Sequence, residues 1–270
     1  MNPPIVSLTT DFGDGPFVGV MKGVILGICP ETRLVDLSHA VAPQDVLAGA
    51  LALEQAIGFF PKNTVHLAVV DPGVGTVRRG LAIQALGQFW VGPDNGVFTP
   101  ILRADPAARA FALTEPRYFL PKVSATFHGR DVFAPVAAHL ANGLDPAALG
   151  PAVADPARLD WPLPRREGEA LLGQVLAVDR FGNLMTNLDR STVLAFLAGR
   201  PARIEAAGQA IAGVSPAYAA VAAGEALALF NSLDRLELAV NQGDLCRRLG
   251  LEPAAARGLA VRLLAISKTD

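Results

Sequence analysis

The run Val69-Val70-Asp71-Pro72-Gly73-Val74-Gly75-Thr76-Val77-Arg78-Arg79 sets a carboxylate, a glycine-bearing turn and two guanidinium groups close together. A carboxylate can orient a water and take its proton, and an arginine beyond the turn can fold back onto it. Turn chemistry alone also explains Asp, Pro and Gly here, so the run by itself leaves both readings open. Asp11, in Thr9-Thr10-Asp11-Phe12-Gly13-Asp14-Gly15, is a second carboxylate at a strand end. It could accept both hydrogen bonds of a ribose diol or simply hold an Asx-turn. In Ser124-Ala125-Thr126-Phe127-His128-Gly129-Arg130-Asp131, His128 precedes a helix. The positive end of the helix dipole there favours a neutral imidazole, although a lone histidine also caps or packs. Arg130 and Asp131 read as a local surface pair. Farther on, Asp179-Arg180-Phe181-Gly182-Asn183-Leu184-Met185-Thr186-Asn187 packs an acid, an aromatic ring and two amides into one turn. Phe230-Asn231-Ser232 with Leu236-Glu237-Leu238-Ala239-Val240-Asn241 is a second polar cluster. Amides beside an aromatic face suit a purine, which needs edge hydrogen bonds and a stacking surface. The competing reading buries Phe181 and Met185 in the core.

The elements that must carry these groups follow from periodicity and punctuation. Ile5 to Leu8, Arg33 to Ser38 and Val65 to Val70 read as strands, each ending at a candidate loop. Pro16 to Ile28 reads as a helix, started by proline and stopped before Pro30. Pro43-Gln44-Asp45 opens another helix to about Phe59, with Asp45 in its first turn. Gly80 to Ala85 and Gln88 to Val91 form a hairpin-like pair ending in the turn Gly92-Pro93-Asp94-Asn95-Gly96. A strand near Ala108 to Leu113 and a helix from about Asp131 to Ala141 follow. Gly13 and Gly15 begin a dinucleotide fingerprint, but its third glycine falls on Val18, and the fingerprint fails. Leu149 to Arg166 is proline-rich and reads as a linker. Beyond it, Leu171 to Val178, Leu184 to Leu188, Ala202 to Glu205, Ala210 to Val214, Ala226 to Phe230 and Val261 to Ala265 read as short strands. Helices at about Ser191 to Leu197 and Leu245 to Leu249 accompany them. The expected class is α/β: an N-terminal α/β sheet domain with flanking helices (1–150), a linker (151–168), and a smaller, mostly antiparallel β-barrel-like domain (169–270).

Composition excludes several functions. The 270 residues are 51% hydrophobic, enough for a large core. A net charge of −2 with no basic run argues against broad nucleic-acid binding. Cys29 and Cys246 are too far apart in sequence for a zinc knuckle, and no metal or other cofactor is expected. His39 lacks a second ligand at metal spacing. Nothing resembles a signal peptide or a membrane span, so the expected location is cytoplasmic, with no membrane partner.

Taken together and in order, the Thr9–Gly13, Val70–Thr76, Gly92–Gly96, Phe127–Asp131 and Asp179–Asn183 segments resemble the S-adenosylmethionine hydroxide adenosyltransferases, hydrolytic relatives of fluorinase and chlorinase. The resemblance spans nearly the whole chain, least so in the linker. It implies hydrolysis of S-adenosyl-L-methionine to adenosine and L-methionine by water attacking ribose C5′. It implies a catalytic triad falling on Asp71, Arg78 and His128, with Arg79 competing with Arg78, which the spacing from Asp71 favours. It implies that Asp11 holds the ribose and that Phe127 lines the substrate site. Asp179, Phe181, Asn183 and residues near Ser232, Glu237 and Val240 would hold the adenine and methionine ends. It also implies a homotrimer with each site formed between subunits. Here the loop from Asp11 to Phe17 is a residue shorter than the family's usual form. Fluorinase-like relatives carry tyrosine where this chain has Asp71 and serine where it has Gly129.

Overall fold

A computed structural model describes residues 3–266, in two compact units, one ending at Trp161 and the other starting at Pro162. The first unit runs β1 (Ile5–Thr10), α1 (Pro16–Ile28), β2 (Arg33–Ser38), α2 (Val46–Glu54), β3 (Val65–Val69), β4 (Gly80–Ala85), β5 (Gln88–Pro93), α3 (Thr99–Ala104), β6 (Arg109–Ala112), α4 (Ala134–Ala141) and β7 (Ala152–Val153). Its strands form one sheet in the order β2-β1-β3-β5-β4-β6-β7. β1 pairs in parallel with β2 and β3, and β3 in parallel with β5, while the remaining neighbours are antiparallel. Because β1 and β3 are parallel neighbours, the loops carrying Asp11 and Asp71 leave the same edge of the sheet. That edge is where open α/β sheets bind ligands.

Both faces of this sheet are covered, which is why β3 is buried at every position rather than alternating. α1 turns Val18, Met21 and Ile25 onto one face, a helical spacing, and they pack with Leu8, Leu67 and Val69. Leu53 after α2 begins, Ile101 of α3 and Trp90 fill the other face. α1 begins with Pro16 and ends at Ile28, as its punctuation predicts.

The structure departs from the sequence expectations at several points. α2 ends at Glu54 and not near Phe59, and Asp45 is its cap: the carboxylate accepts from the Ala48 N–H at 3.0 Å. Asp45 therefore satisfies a free donor of the first turn instead of sitting within it. The short α3 follows the Asn95-Gly96 turn with no signal beyond Pro100. Within the proline-rich stretch, β7 pairs with β6. The Ala157 N–H bonds the Asp94 carboxylate at 2.7 Å, and the Leu159 N–H bonds Thr99 Oγ1 at 2.8 Å. Residues 152–159 are thus pinned to the first unit by hydrogen bonds that composition cannot announce.

The second unit runs β8 (Arg165–Glu167), β9 (Ala170–Val178), β10 (Leu184–Asp189), α5 (Arg190–Leu197), β11 (Ala202–Ala206), β12 (Gln209–Ala212), β13 (Ala226–Phe230), β14 (Arg235–Val240), α6 (Leu245–Arg248), α7 (Pro253–Ala256) and β15 (Ala260–Ala265). Its strands follow the order β12-β11-β15-β9-β10-β14-β13, with β8 added to β9. The two outer strands nearly meet: the Ser215 N–H beyond β12 donates to the Ala228 carbonyl of β13 at 2.7 Å. The sheet is therefore an almost closed antiparallel barrel, which protects its edges. Among the described residues, no helix is long and apolar enough to cross a membrane.

Candidate active site

β3 ends in Val69, and Val70 lies under the amide of Asn95, whose Nδ2 donates to the Val70 carbonyl at 2.8 Å. This brace fixes the backbone one residue before Asp71. The chain then turns tightly, with the Val74 N–H on the Asp71 carbonyl and the Thr76 N–H on the Gly73 carbonyl. Gly75 has φ +78°, and a Cβ there would collide with the Ala125 carbonyl oxygen. Only glycine lets this loop lie so close to the 124–127 segment.

The turn brings Arg78 back over Asp71. Arg78 Nε donates to both carboxylate oxygens, at 2.9 and 3.0 Å, and Nη2 bonds Asp71 Oδ2. The same Nη2 lies 2.9 Å from His128 Nδ1. Arginine is only a donor, so Nδ1 accepts and the imidazole proton resides on Nε2. The neutral ring agrees with its environment: burial, and then the Arg78 charge, lower the His128 pKa against the opposing pull of Asp71 and Asp131. Burial and Arg78 are thus the main causes, where sequence alone offers only the helix dipole. The Asp71 and Arg78 side chains are 5% and 12% exposed, so their charges meet in a largely dry setting. The Phe133 ring, 5.1 Å from the Arg78 guanidinium carbon, packs on it from the other side. Arg79 points elsewhere and bonds Asp94 at 2.7 Å and Asp155 at 3.0 Å. Of the two arginines, Arg78 is the one that meets both Asp71 and His128.

His128 opens a π-turn, Gly129–Phe133, which continues into α4. Such turns are rare and concentrate at functional sites. Here it replaces the first turn of the helix expected from Asp131. A Cβ on Gly129 would meet Val69 Cγ1 at 3.2 Å and Met21 Sδ at 3.3 Å, so its absence lets the turn sit tightly on β3 and α1. Asp131 is no surface pair partner: it is fully buried, and its carboxylate takes bonds from Arg130 and from the Ser124 N–H. The donor seven residues upstream leaves no trace in local sequence.

Asp11 follows β1, and its Oδ2 accepts from the Gln44 N–H at 2.8 Å. Gln44 holds φ +65° to direct that N–H, a conformation costly for a side-chain-bearing residue. Among the described residues nothing donates to its Oδ1, so Asp11 keeps acceptor capacity for a ligand. Phe127 forms a cluster with Phe12 and Phe17, with centroids 5.3–5.9 Å apart. His39 bonds Thr10 and Asp36 and so holds the β1–β2 edge.

In the second unit, Asp179 organises the turn between β9 and β10. Its Oδ1 accepts from the Phe181 and Asn183 N–H groups at 2.8 and 2.9 Å, and its Oδ2 from Asn183 Nδ2 at 2.9 Å. Phe181 does not enter the core: its ring is 74% exposed. Glu237 lies on β14, buried, and takes bonds from Tyr218 Oη at 2.6 Å and Asn231 Nδ2 at 3.1 Å. Burial and this carboxylate drive the Tyr218 phenol well above its usual pKa. Tyr218 carries no sequence signal, because the partner that defines it is nineteen residues away. Ser232 is exposed in the β13–β14 turn, and Val240 is buried at the end of β14.

A model of the SAM hydroxide adenosyltransferase N-terminal domain matches residues 6–150, and one of the C-terminal domain matches residues 173–256. The chain is 44% identical to an (R)-S-adenosyl-L-methionine hydrolase from Thermus thermophilus, over 96% of this chain and 99% of that one. A Salinispora tropica protein of the same name is 43% identical, over 93% and 95% of the two chains. A fluorinase from an Actinoplanes species is 28% identical over 70% and 72%. A crystal structure of a conserved protein from Thermotoga maritima superposes with a TM-score of 0.88 at 34% identity, covering 96% of this chain and 99% of that one.

Proposed function

The chain belongs to the SAM hydroxide adenosyltransferase family, and we propose from this that it hydrolyses S-adenosyl-L-methionine to adenosine and L-methionine. The observation that carries the reading is the single guanidinium joining the Asp71 carboxylate to a neutral His128 ring. Water attacks C5′ as the C5′–S bond breaks, and the bonding pair returns to sulfur. Methionine leaves as a neutral thioether, so no general acid is required. The water must lose a proton, and Asp71 is the group placed to take it, a role that typically contributes about 10²–10⁴-fold. Arg78 holds the carboxylate in one orientation, and the His128 Nε2–H supplies a fixed donor towards developing hydroxide. Asp11, with an acceptor oxygen to spare, holds the ribose diol, and Phe127 walls the reacting centre. Asp179, Phe181, Asn183, Ser232, Glu237 and Val240 hold the adenine and methionine ends.

The nucleophile is water rather than halide because an anion beside Asp71 would face a like charge in a poorly solvated pocket. The proposal extends to a cytoplasmic homotrimer in which the first unit of one subunit and the second of its neighbour complete each site. The (R) label of the relatives makes the R sulfonium epimer the proposed substrate. Incubation with each epimer in ¹⁸O-water containing molar chloride, followed by mass spectrometry, tests the reading. Adenosine labelled at the 5′ oxygen is expected from the R epimer. Unlabelled adenosine, no adenosine, or a 5′-halogenated nucleoside as main product would refute it.

A further inference from the structure

Asp131 is a buried carboxylate outside the set that meets water or substrate. Burial works against its charge, but the Arg130 guanidinium and the Ser124 N–H outweigh this and keep its pKa below the ordinary value. An ionised group placed so deep is costly unless every bond to it is made. Besides its neighbour Arg130, the residue bonds one strap of chain, residues 120–127. Oδ2 accepts from the Ser124 N–H at 2.8 Å, and the Asp131 carbonyl accepts from the Leu120 N–H at 2.9 Å. Its own N–H donates to the Phe127 carbonyl at 3.1 Å. Arg130, which grips both carboxylate oxygens, also lies over the Phe127 ring at 5.1 Å. The strap is drawn tighter by Ser124 Oγ, which accepts from the Thr126 N–H at 3.2 Å.

The strap lies against the catalytic loop at Gly75 and leads directly into His128. The Ala125 carbonyl fills the space a Cβ on Gly75 would need, and Gly75 lies between Asp71 and Arg78. His128 follows Phe127 directly. We infer that Asp131 is a positioning residue for the triad: by clamping the 120–127 strap it sets His128 and, through Ala125 against Gly75, the loop that folds Arg78 onto Asp71. Resting on the hydrolase reading, the inference adds a residue that never meets the substrate.

Asp131→Asn keeps size and removes the charge that holds Arg130 and Ser124, while Gly75→Ala breaks the strap–loop contact from the other side. Both variants are expected to lower kcat by about 10- to 100-fold with KM nearly unchanged, since a displacement near 1 Å can cost that much. Because both act through one contact, the double variant is expected to lose little more than the worse single one. The ¹⁵N shift of His128 Nδ1 reports its bond to Arg78 without any substrate, and both variants should lose that signature while remaining folded by near-UV circular dichroism. Turnover retained within about twofold in Gly75→Ala, losses that multiply in the double variant, or an unchanged Nδ1 shift each overturn the inference. Should Asp131→Asn not fold, Gly75→Ala decides by the same readouts. If the wild-type protein fails to hydrolyse S-adenosylmethionine, the hydrolase reading falls, and the Nδ1 shift still tests the clamp.

Discussion

Replacing Asp71 by asparagine should do more than remove a base. Arg78 Nε stands 2.9 Å from one carboxylate oxygen and 3.0 Å from the other, and Nη2 bonds one of them. Whichever way an asparagine amide turns, its NH₂ faces a guanidinium N–H, donor against donor. At least one charge-assisted bond is lost, worth about 1.5–3 kcal/mol, in a place too dry for water to replace it. Arg78 is then free to leave, taking with it the partner of His128 Nδ1. Loss of the base alone corresponds to about 10²–10⁴ in rate, or about 3–5 kcal/mol of barrier. The expected outcome is a kcat at least about 100-fold lower, with adenosine affinity by calorimetry nearly unchanged, because the proposed mechanism has Asp71 meet the attacking water and not the nucleoside. A kcat within about tenfold of wild type would refute the reasoning. A loss of adenosine affinity matching the loss of turnover would instead make Asp71 a ligand.

Three further outcomes follow from the same geometry. His128 has a lowered pKa and must be neutral to accept from Arg78, so kcat should hold as pH falls through the ordinary histidine value of about 6.5 and decline only below it; a decline centred above that value contradicts the assignment. His66, buried between Ser7 and a Trp90 ring stacked at 4.0 Å, is lowered by burial to about 4. Its contribution is fully present above pH 6.5 and lost as pH falls towards about 4, a loss of about 3 kcal/mol; urea midpoints from pH 7 to 4 should fall more steeply in wild type than in His66→Gln, and equal slopes would contradict this. Arg79→Ala should leave kcat within about twofold of wild type, since Arg79 is committed to Asp94 and Asp155, and should expose the chain near Asp155 to limited proteolysis; a large fall in kcat would return Arg79 to the triad.

What the sequence reveals here depends on how local the cause is. α1 is legible to the residue because Pro16 starts it and the Cys29-Pro30 pair stops it. β2, β4 and β13 are legible because apolar runs meet turn residues at both ends. β14 is not, because the segment Leu236–Asn241 reads as a polar cluster and not as a strand, while both its Glu237, held by the distant Tyr218, and the preceding Arg235 are buried. The spacing from Asp71 to Arg78 is readable since a proline and two glycines leave the chain few ways to go but back. The His128 contact spans fifty residues and comes only from the assembled order of motifs. Asp131 misleads because a carboxylate is assumed to be wet unless something distant, such as the Ser124 N–H, says otherwise. Phe181 leaves two readings open, a stacking surface or a core residue, and the rigid Asx-turn beneath it holds the ring outside the core.

That Asx-turn has a consequence for the thermodynamics of recognition. Asp179 ties down the backbone on both sides of Phe181, Gly182 takes φ +81°, and the Gly182 carbonyl accepts from the Cys246 N–H at 3.0 Å. The backbone beneath an aromatic ring left standing in water has therefore lost its freedom during folding. Ordering a side chain at an interface usually costs about 0.5–1.5 kcal/mol, and more when its loop must settle as well. Here the loop's share is already met before any flat partner arrives. Association with such a partner should show the negative heat-capacity change of apolar burial without the large unfavourable entropy of a loop that folds on binding.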